Sequence, residues 1–214
     1  MSEEFVILVD ENDNPIGSEE KVKCHLPNGK LHRAFTALLF DDDGRLVLTK
    51  RAKEKMLWPT EWDGTFASHP RESETYVLSG ERRMPEELGI DGTLDYLHKF
   101  EYHVPYKDVG SENEICGTLI GIIDKSTELK EIEGEIDEIK WISSKELIGE
   151  LNKNPQIYCP WMLIALELLE KSDKSMLEKH ANILSTWMNS EMHDELQKAI
   201  KIHLPDNKWR LVNE

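Results

Sequence analysis

The sequence predicts an α+β fold, in which helices pack on a mixed β-sheet and a helical extension follows at the C-terminal end. Short apolar runs bounded by turn formers indicate strands, and helical periodicity appears once in the middle and again at the end. The order strands, helix, strands, helices favours a mixed sheet. The 214 residues suffice for one core. We assign that core to residues 1–171 and the packed helical extension to residues 172–214.

The first predicted strands are short and separated by clear turns. Phe5 to Val9 is an apolar run, and residues 10–17 are rich in turn formers. Two further runs, Ala34 to Phe40 and Arg45 to Thr49, flank the sequence Asp-Asp-Asp-Gly. This predicts a hairpin, because Asp-Gly supplies the positive φ that a tight turn needs.

The middle of the chain predicts a helix from Glu74 to Leu88. Ser73 is a suitable N-cap, and Gly89 can end the helix in the left-handed conformation. Pro85 removes one helical hydrogen bond and crowds the preceding turn. We therefore expect a kink or an early loosening at that residue.

The remaining elements are strands followed by helices. Further strands are predicted at Tyr96 to Tyr102, Ile115 to Ile123 and Glu138 to Ile142. Helices are predicted from Ser143 or Ser144 to about Leu151, from Pro160 to Leu169, and with an amphipathic pattern from Ser172 to Lys201.

The chain is strongly acidic, with 26 basic and 42 acidic residues and a formal net charge of −16. Such a surface repels nucleic acid and anionic membranes, so neither is expected as a partner. No stretch approaches the roughly 20 apolar residues of a membrane span. The acidic start is unlike a signal peptide, and three widely spaced cysteines form no disulfide framework. We expect a cytoplasmic protein, and the sequence leaves the oligomeric state open.

Three histidines and two glutamates have side chains suited to a divalent metal. His25, His32 and His69 offer imidazole nitrogens, and Glu112 and Glu114 face the same way if they lie on a strand. Imidazole and carboxylate together suit Zn, Mn or Mg-like ions. Spacing alone does not bring the five together, so surface histidines beside a solvated acidic strand are the alternative.

Residues 68–90 carry an extended motif that matches most of the Nudix box. The positions that fit are Glu74, Arg82, Met84, Glu86, Glu87, Gly89 and Ile90. Ser68 replaces the first glycine of the box, and Arg83 replaces the first glutamate of its Arg-Glu pair. Carboxylates clustered in this way can hold Mg that bridges diphosphate oxygens. The alternative is an ordinary helix with i,i+4 ion pairs.

A basic cluster with aromatic neighbours lies between these two groups. The residues from Lys50 to Lys55 include four cations and are followed by Trp58 and Trp62. A local patch of cations in an acidic protein is a suitable place for an anionic ligand. A solvated charge run is the alternative.

Together these segments resemble the type I isopentenyl-diphosphate isomerase family of the Nudix superfamily over roughly residues 5–165. The matching pieces, in family order, are Gly17 to His25, Leu31 to Phe35, Lys50 to Pro59, Ser68 to Pro70, Arg82 to Gly89, Glu112 to Cys116 and Pro160 to Met162. The resemblance implies a prenyl diphosphate as the small-molecule substrate.

The resemblance also implies binding roles for individual positions. One divalent metal, Mn2+ or Zn2+, would be held by His25, His32, His69, Glu112 and Glu114. Mg2+ would be held with the substrate diphosphate by Glu87. The diphosphate itself would contact Lys21, Arg51, Lys55 and Arg83.

The resemblance implies a double-bond shift in which one group protonates an alkene and another removes a proton from the opposite face. Tyr102 and Glu114 match the pair that delivers the proton, and Trp161 matches the aromatic residue that faces the developing cation. The family uses a cysteine as the second group, and that position is Ala67 here. Loss of one acid–base group typically costs at least about 100-fold in rate.

Ala67 leaves three explanations and three functions open. The cysteine was replaced deliberately, Ser68 or Cys159 stands in for it, or the protein is not an isomerase. The first function is an isomerase-like enzyme of isoprenoid biosynthesis. The second is a Nudix hydrolase of prenyl or other diphosphates, in which a metal-bound water attacks phosphorus. The third is a non-catalytic prenyl-diphosphate binder.

Overall fold

The computed structural model of the protein describes residues 4–212. Residues 1–3, on which most of the expectation about a signal peptide rests, lie outside the described residues, as do residues 213–214. The strands are Phe5–Val9 (β1), Pro15–Glu20 (β2), His32–Phe40 (β3), Leu46–Arg51 (β4), Trp62–Asp63 (β5), Phe66–Ser68 (β6), Asp95–Tyr106 (β7), Gly110–Ile122 (β8), Ile136–Ile142 (β9) and Trp209–Val212 (β10). The α-helices are Lys21–His25 (α1), Tyr76–Leu88 (α2), Ser144–Leu151 (α3), Pro160–Glu167 (α4), Lys174–Lys179 (α5), Ala181–Leu184 (α6) and Ser190–His203 (α7).

A mixed sheet forms the centre of the fold, and this confirms the predicted fold class. Its main path runs β10-β7-β8-β3-β1-β2, and β3 also pairs with β4 and β6. The β3–β8 pair is parallel and sets His32 beside Glu114, whereas the other neighbours on this path are antiparallel. Two segments with predicted ligands therefore lie side by side.

The predicted turn between β3 and β4 is confirmed. Gly44 has a φ of 78°, and the Asp41 carboxylate accepts hydrogen bonds from the backbone N–H groups of Asp43 and Arg45. The two strands pair only at Phe40 and Leu46. Beyond that point β4 pairs with β5 and β9 instead.

Helix α2 begins later than the sequence predicted. Its N-cap is Thr75, whose hydroxyl accepts a hydrogen bond from the backbone N–H of Leu78, so the prediction of Ser73 as the N-cap is wrong. A turn in which the N–H of Glu74 bonds the carbonyl of Arg71 precedes the helix. This turn holds Ser73 at a φ of 70°, whereas an N-cap residue has extended backbone angles.

The C-terminal end of α2 lies where the sequence placed it. Gly89 has a φ of 70° and donates its N–H to the carbonyl of Pro85 at 3.1 Å. Glycine adopts this left-handed conformation without steric cost. The helix continues through Pro85 to Leu88, so it does not end early at the proline.

Both faces of the central strand β3 are buried. Alternate residues of a strand point to opposite faces. One face packs with α4 and the C-terminal helices and includes Ala34, Leu38 and Phe40. The other face packs with Met84 and Leu88 of α2 and includes Phe35, Ala37 and Leu39. The sheet is therefore covered by helices on both sides.

The segment after residue 171 is less uniformly helical than predicted. Three separate helices, α5 to α7, form where one continuous helical pattern was predicted from Ser172 to Lys201. The strand β10 pairs with β7, and Trp209 lies opposite Tyr102. The buried Trp187 donates its indole N–H to the carbonyl of Gly44 at 2.9 Å and packs edge-on against Phe40. None of the helices between residues 4 and 212 is long and apolar enough to cross a membrane.

Candidate functional site

A cavity of about 250 Å³ lies against the sheet face that α4 covers. The lining contains eleven residues that the sequence singled out for binding or catalysis: Lys21, His25, Arg51, Lys55, Ala67, Ser68, His69, Tyr102, Glu112, Glu114 and Trp161. These residues come from α1, β4 and the loop after it, β6 and the residue after it, β7, β8 and α4. The fold thus brings together segments that lie far apart in sequence.

Three imidazoles and one carboxylate converge at the base of the cavity. The potential ligand atoms of His25, His32, His69 and Glu114 all lie within 4.8 Å of one another, and all four side chains are buried. The Nε2 atoms of His32 and His69 are 3.2 Å apart, and each lies within 3.4 Å of Oε1 of Glu114. Such a set of nitrogen and oxygen donors can hold a divalent metal ion.

The backbone orients two of these imidazoles. Nδ1 of His25 lies 2.6 Å from the carbonyl of Lys21, and Nδ1 of His32 lies 2.8 Å from the carbonyl of Lys30. A carbonyl only accepts, so Nδ1 must donate, and Nε2 keeps a free lone pair when the ring is neutral. Both lone pairs then point to the shared centre, which is the arrangement that metal-binding histidines use.

Glu112 joins this centre from the same face of β8. Its Oε2 lies 3.0 Å from Nε2 of His25, and its side chain is buried. Glu112 and Glu114 are two residues apart on one strand, so both face the cavity. Four of the five predicted ligands therefore share one centre, Glu112 lies next to it through His25, and the donor set fits a divalent metal.

Tyr102 donates a hydrogen bond from its phenol to Oε2 of Glu114 at 2.6 Å. Burial, and after it the negative charge of Glu114, raise the pKa of Tyr102 well above its ordinary value, so the phenol keeps its proton. Burial alone would raise the pKa of Glu114, but the hydrogen bond and charge of His32, the hydrogen bond of Tyr102 and the charge of His25 together outweigh it and lower that pKa. The pair is a protonated phenol on an ionised carboxylate.

Ala67 lies on β6 opposite Thr36 of β3, and it lines the cavity together with Ser68. Its methyl group can neither accept nor donate a proton. Among residues 4–212, the lining includes Ser68 and Cys116 but not Cys159, which is buried at the N-cap of α4. Of the two stand-ins weighed from the sequence, only Ser68 reaches the cavity.

The predicted diphosphate contacts each have carboxylate partners. Lys21 pairs with Glu4 at 3.0 Å, and Lys55 pairs with Glu135. Arg83 bonds both glutamates of the box motif, Glu86 and Glu87, and lies 3.9 Å from Glu135. Arg83 and Glu87 belong to α2 and are not among the lining residues of the cavity.

Arg51 and Trp161 meet at a buried carboxylate that the sequence did not single out. Asp63 accepts a hydrogen bond from the indole of Trp161 at 2.7 Å and another from Arg51 at 3.2 Å. The guanidinium carbon of Arg51 lies 5.2 Å from the centre of the Trp161 ring, a distance typical of a cation–π contact. Asp63 and Glu135 are therefore the site residues missed by sequence analysis. The position of Asp63 beside Trp62, in a segment already rich in matches, was the available signal.

Comparison with known proteins agrees with this geometry. The NUDIX domain family matches residues 30–162. The isopentenyl-diphosphate Delta-isomerase of Haloarcula marismortui is 40% identical over 170 residues, which cover 75% of this chain and 88% of that protein. The enzyme of the same name from Salmonella heidelberg is 33% identical over 186 residues, covering 85% of this chain and 98% of that protein.

A solved structure shows the same fold at low sequence similarity. The DR0079 protein of Deinococcus radiodurans superimposes with a TM-score of 0.56 at 18% identity, covering 70% of this chain and 89% of that chain. This likeness concerns the fold alone. The family follows from the domain match and the two isomerase relatives: the chain belongs to the isopentenyl-diphosphate Delta-isomerase family of Nudix proteins.

Proposed function

We propose that this protein binds isopentenyl or dimethylallyl diphosphate and interconverts the two by moving a double bond. One observation supports this more than any other: the Tyr102–Glu114 pair and the indole of Trp161 line the same cavity. The ring centres of Tyr102 and Trp161 are 6.3 Å apart. A proton donor and a cation-stabilising ring at this separation suit protonation of a small alkene.

The reaction begins when the Tyr102–Glu114 pair delivers one proton to the terminal CH2 carbon of isopentenyl diphosphate, which leaves the pair with one proton fewer. That carbon becomes a methyl group, and the positive charge forms on the branched carbon, where the face of Trp161 stabilises it. Loss of a proton from the CH2 group on the other side of the cation then restores a double bond in its new position. Glu114 supports the donor, because its carboxylate accepts the phenol's hydrogen bond.

This proposal includes two separate metal sites. His25, His32, His69, Glu112 and Glu114 would hold a divalent ion, Mn2+ or Zn2+, which would fix Glu114 and add positive charge beside the proton donor. Glu87 would hold Mg2+ with the substrate diphosphate. Lys21, Arg51, Lys55 and Arg83 would supply the opposing charge that the strongly acidic chain otherwise lacks.

The cavity has no efficient proton acceptor among the described residues at the position that the proposed reaction requires. The position that faces the substrate from β6 carries Ala67, and the neighbouring Ser68 has a hydroxyl that is a poor base. We therefore propose slow turnover for this chain, with Ser68 or a water molecule taking the proton. A cysteine at position 67 would supply the missing group.

A hydrolase has less support from the contacts of α2. Hydrolysis would need the full set of box carboxylates to hold the metals that activate water. Both carboxylates bond Arg83, which occupies the position of a third box glutamate. The helix therefore has a cation in place of one box carboxylate, so it lacks the full set of metal ligands that a hydrolase would use.

Phosphorus and proton NMR of the purified protein with Mg2+, Zn2+ and isopentenyl diphosphate test the proposal. Conversion to dimethylallyl diphosphate with both phosphorus signals intact is the expected result. Release of phosphate or prenyl monophosphate would establish a hydrolase instead. Broadened substrate signals without any product would establish a binder.

A further inference from the structure

We infer that Asp63 is a positioning residue that holds the diphosphate contact Arg51 and the cation-facing Trp161 in one fixed arrangement. The inference rests on the proposed function, which gives those two residues their roles. Asp63 itself does not line the cavity, so it acts through its neighbours. It thereby links the charged end and the hydrocarbon end of the substrate site.

The contact with Trp161 fixes the orientation of the indole. Nε1 of Trp161 donates to Oδ1 of Asp63 at 2.7 Å, and the same oxygen accepts the backbone N–H of Gly64 at 2.7 Å. Trp161 lies in the first turn of α4, and Asp63 lies on β5, which pairs with β4. The bond therefore ties the position of an indole on a helix to the central sheet.

The contact with Arg51 fixes the guanidinium group. Nη1 of Arg51 donates to the other oxygen of Asp63 at 3.2 Å, and its two remaining nitrogens donate to the carbonyls of Trp58 and Leu57 at 3.0 Å each. The guanidinium plane is thus held by three acceptors. Three of its five N–H donors are used in this way, and Arg51 lines the cavity.

Burial makes this arrangement depend on the carboxylate. Asp63 is only 2% exposed, so little water can replace a lost bond. Burial raises the pKa of Asp63, and the charge of Arg51 opposes that rise. Its two oxygens serve three donors, with Trp161 and Gly64 on one oxygen and Arg51 on the other, and a carboxylate is the side chain that accepts on both oxygens.

The substitution Asp63→Asn distinguishes the contact with Trp161 from the contact with Arg51. The amide oxygen of Asp63→Asn can still accept the indole N–H of Trp161 and the backbone N–H of Gly64. The amide nitrogen then faces Arg51. Because an amide N–H and a guanidinium N–H are both donors and cannot bond each other, the guanidinium must move. This variant is expected to displace Arg51 while it leaves the indole in place.

The chain offers a matched control pair away from the cavity. Asp41 is fully buried and pairs with Arg45, whose guanidinium carbon lies 5.8 Å from the ring centre of Trp141. The control therefore has a buried aspartate paired with an arginine that lies beside a tryptophan ring. Asp41→Asn is expected to disturb local stability without changing the cavity.

The experiment measures inorganic pyrophosphate binding with Mg2+ by calorimetry for the full chain, Asp63→Asn and Asp41→Asn. The indole N–H signal of Trp161, assigned with Trp161→Phe, and the Nε–H signal of Arg51 are followed by NMR. For Asp63→Asn we expect at least tenfold weaker binding, a moved Arg51 signal and a Trp161 signal that stays downfield. For Asp41→Asn we expect unchanged binding.

The outcomes separate this inference from the proposed function. If the unaltered protein binds pyrophosphate and folded Asp63→Asn binds it equally well, the positioning role of Asp63 is overturned and the proposed function stands. If the unaltered protein does not bind pyrophosphate, the assignment of Arg51 to a diphosphate fails, and the inference fails with it. An Arg51 signal that does not move in Asp63→Asn also contradicts the inference.

Discussion

The phenolic oxygen of Tyr102 lies 2.6 Å from Oε2 of Glu114, and the two residues are register partners on the antiparallel strands β7 and β8. Sheet pairing itself therefore sets the distance between proton donor and carboxylate. The parallel neighbour of Glu114 on the other side is His32. One row across three strands thus connects the proposed proton donor to the candidate metal centre.

Tyr102→Phe is expected to lower isomerisation by at least about 100-fold, because it removes one member of the proton-delivering pair. Metal content should stay the same, since the phenol belongs to no metal-ligating group. The rate is measured in the Ala67→Cys background, where turnover is high enough to quantify. Tyr106→Phe, on the same strand but bonded to Lys107, is the control and should retain activity. Equal rates for Tyr102→Phe and its parent would contradict the proposed role.

His32→Ala is expected to abolish metal binding at the histidine centre, because His32 lies within 3.3 Å of both His69 and Glu114. Metal content after dialysis against Mn2+ or Zn2+, measured by mass spectrometry, should fall from about one ion per chain to none. His193→Ala removes a largely exposed histidine on α7 and should keep the ion. Retention of the ion by His32→Ala would show that the metal binds elsewhere.

Glu61→Gln is expected to stabilise the protein at pH 8 but not at pH 4. Burial raises the pKa of Glu61 to about 7 from an ordinary 4.5, and its Oε2 is buried without a hydrogen-bond partner. A carboxyl with a raised folded-state pKa costs stability as pH rises from the unfolded value through the folded one. Because Glu61 is only half-buried, we expect Glu61→Gln to raise the free energy of unfolding by about 1 kcal/mol at pH 8.

Urea unfolding at the two pH values measures this difference. Glu72→Gln, at an exposed position, is the control and should change stability by less than about 0.5 kcal/mol at either pH. Equal effects of Glu61→Gln at pH 4 and pH 8 would show that the Glu61 carboxyl does not titrate abnormally.

We propose that residues 172–214 pack on residues 1–171 as part of one cooperative unit. Trp187 is 2% exposed and bonds Gly44 in the turn between β3 and β4. Trp187→Ala should therefore lower the free energy of unfolding by about 3–5 kcal/mol, whereas Ile202→Ala, at an exposed position, should change it by less than about 0.5 kcal/mol. A small effect of Trp187→Ala, with two separate unfolding transitions, would contradict the proposal.

Local signals explain why much of the fold was predictable. The Asp-Asp-Asp-Gly turn and Gly89 were predicted because both need a positive φ, which depends only on nearby residues. The start of α2 was misplaced because Ser73 and Thr75 are both good caps, and the turn before the helix decides between them. Strand β10 was missed because its four residues are stabilised by β7, about a hundred residues away.

The candidate site was predictable only where a family pattern named its positions. His25, His32 and His69 are spread over 45 positions. The pairing of β3 with β6 brings His32 near His69, and helix α1 places His25 beside them. Asp63 carries no pattern of its own, because its importance comes from contacts with Arg51 and Trp161. Contacts of this kind depend on tertiary structure and leave no spacing to recognise.

The most direct test of the proposed chemistry is the reaction of Ala67→Cys with isopentenyl diphosphate and divalent metal in deuterated water, followed by proton and deuterium NMR. We expect dimethylallyl diphosphate with deuterium in a methyl group, formed at least about 100-fold faster than by the unaltered protein. Deuterium in the methyl group would show protonation of the terminal carbon, and the rate increase would show that position 67 faces the proton that is lost. Release of phosphate, or no dimethylallyl diphosphate from a folded, metal-loaded Ala67→Cys protein, would contradict the account.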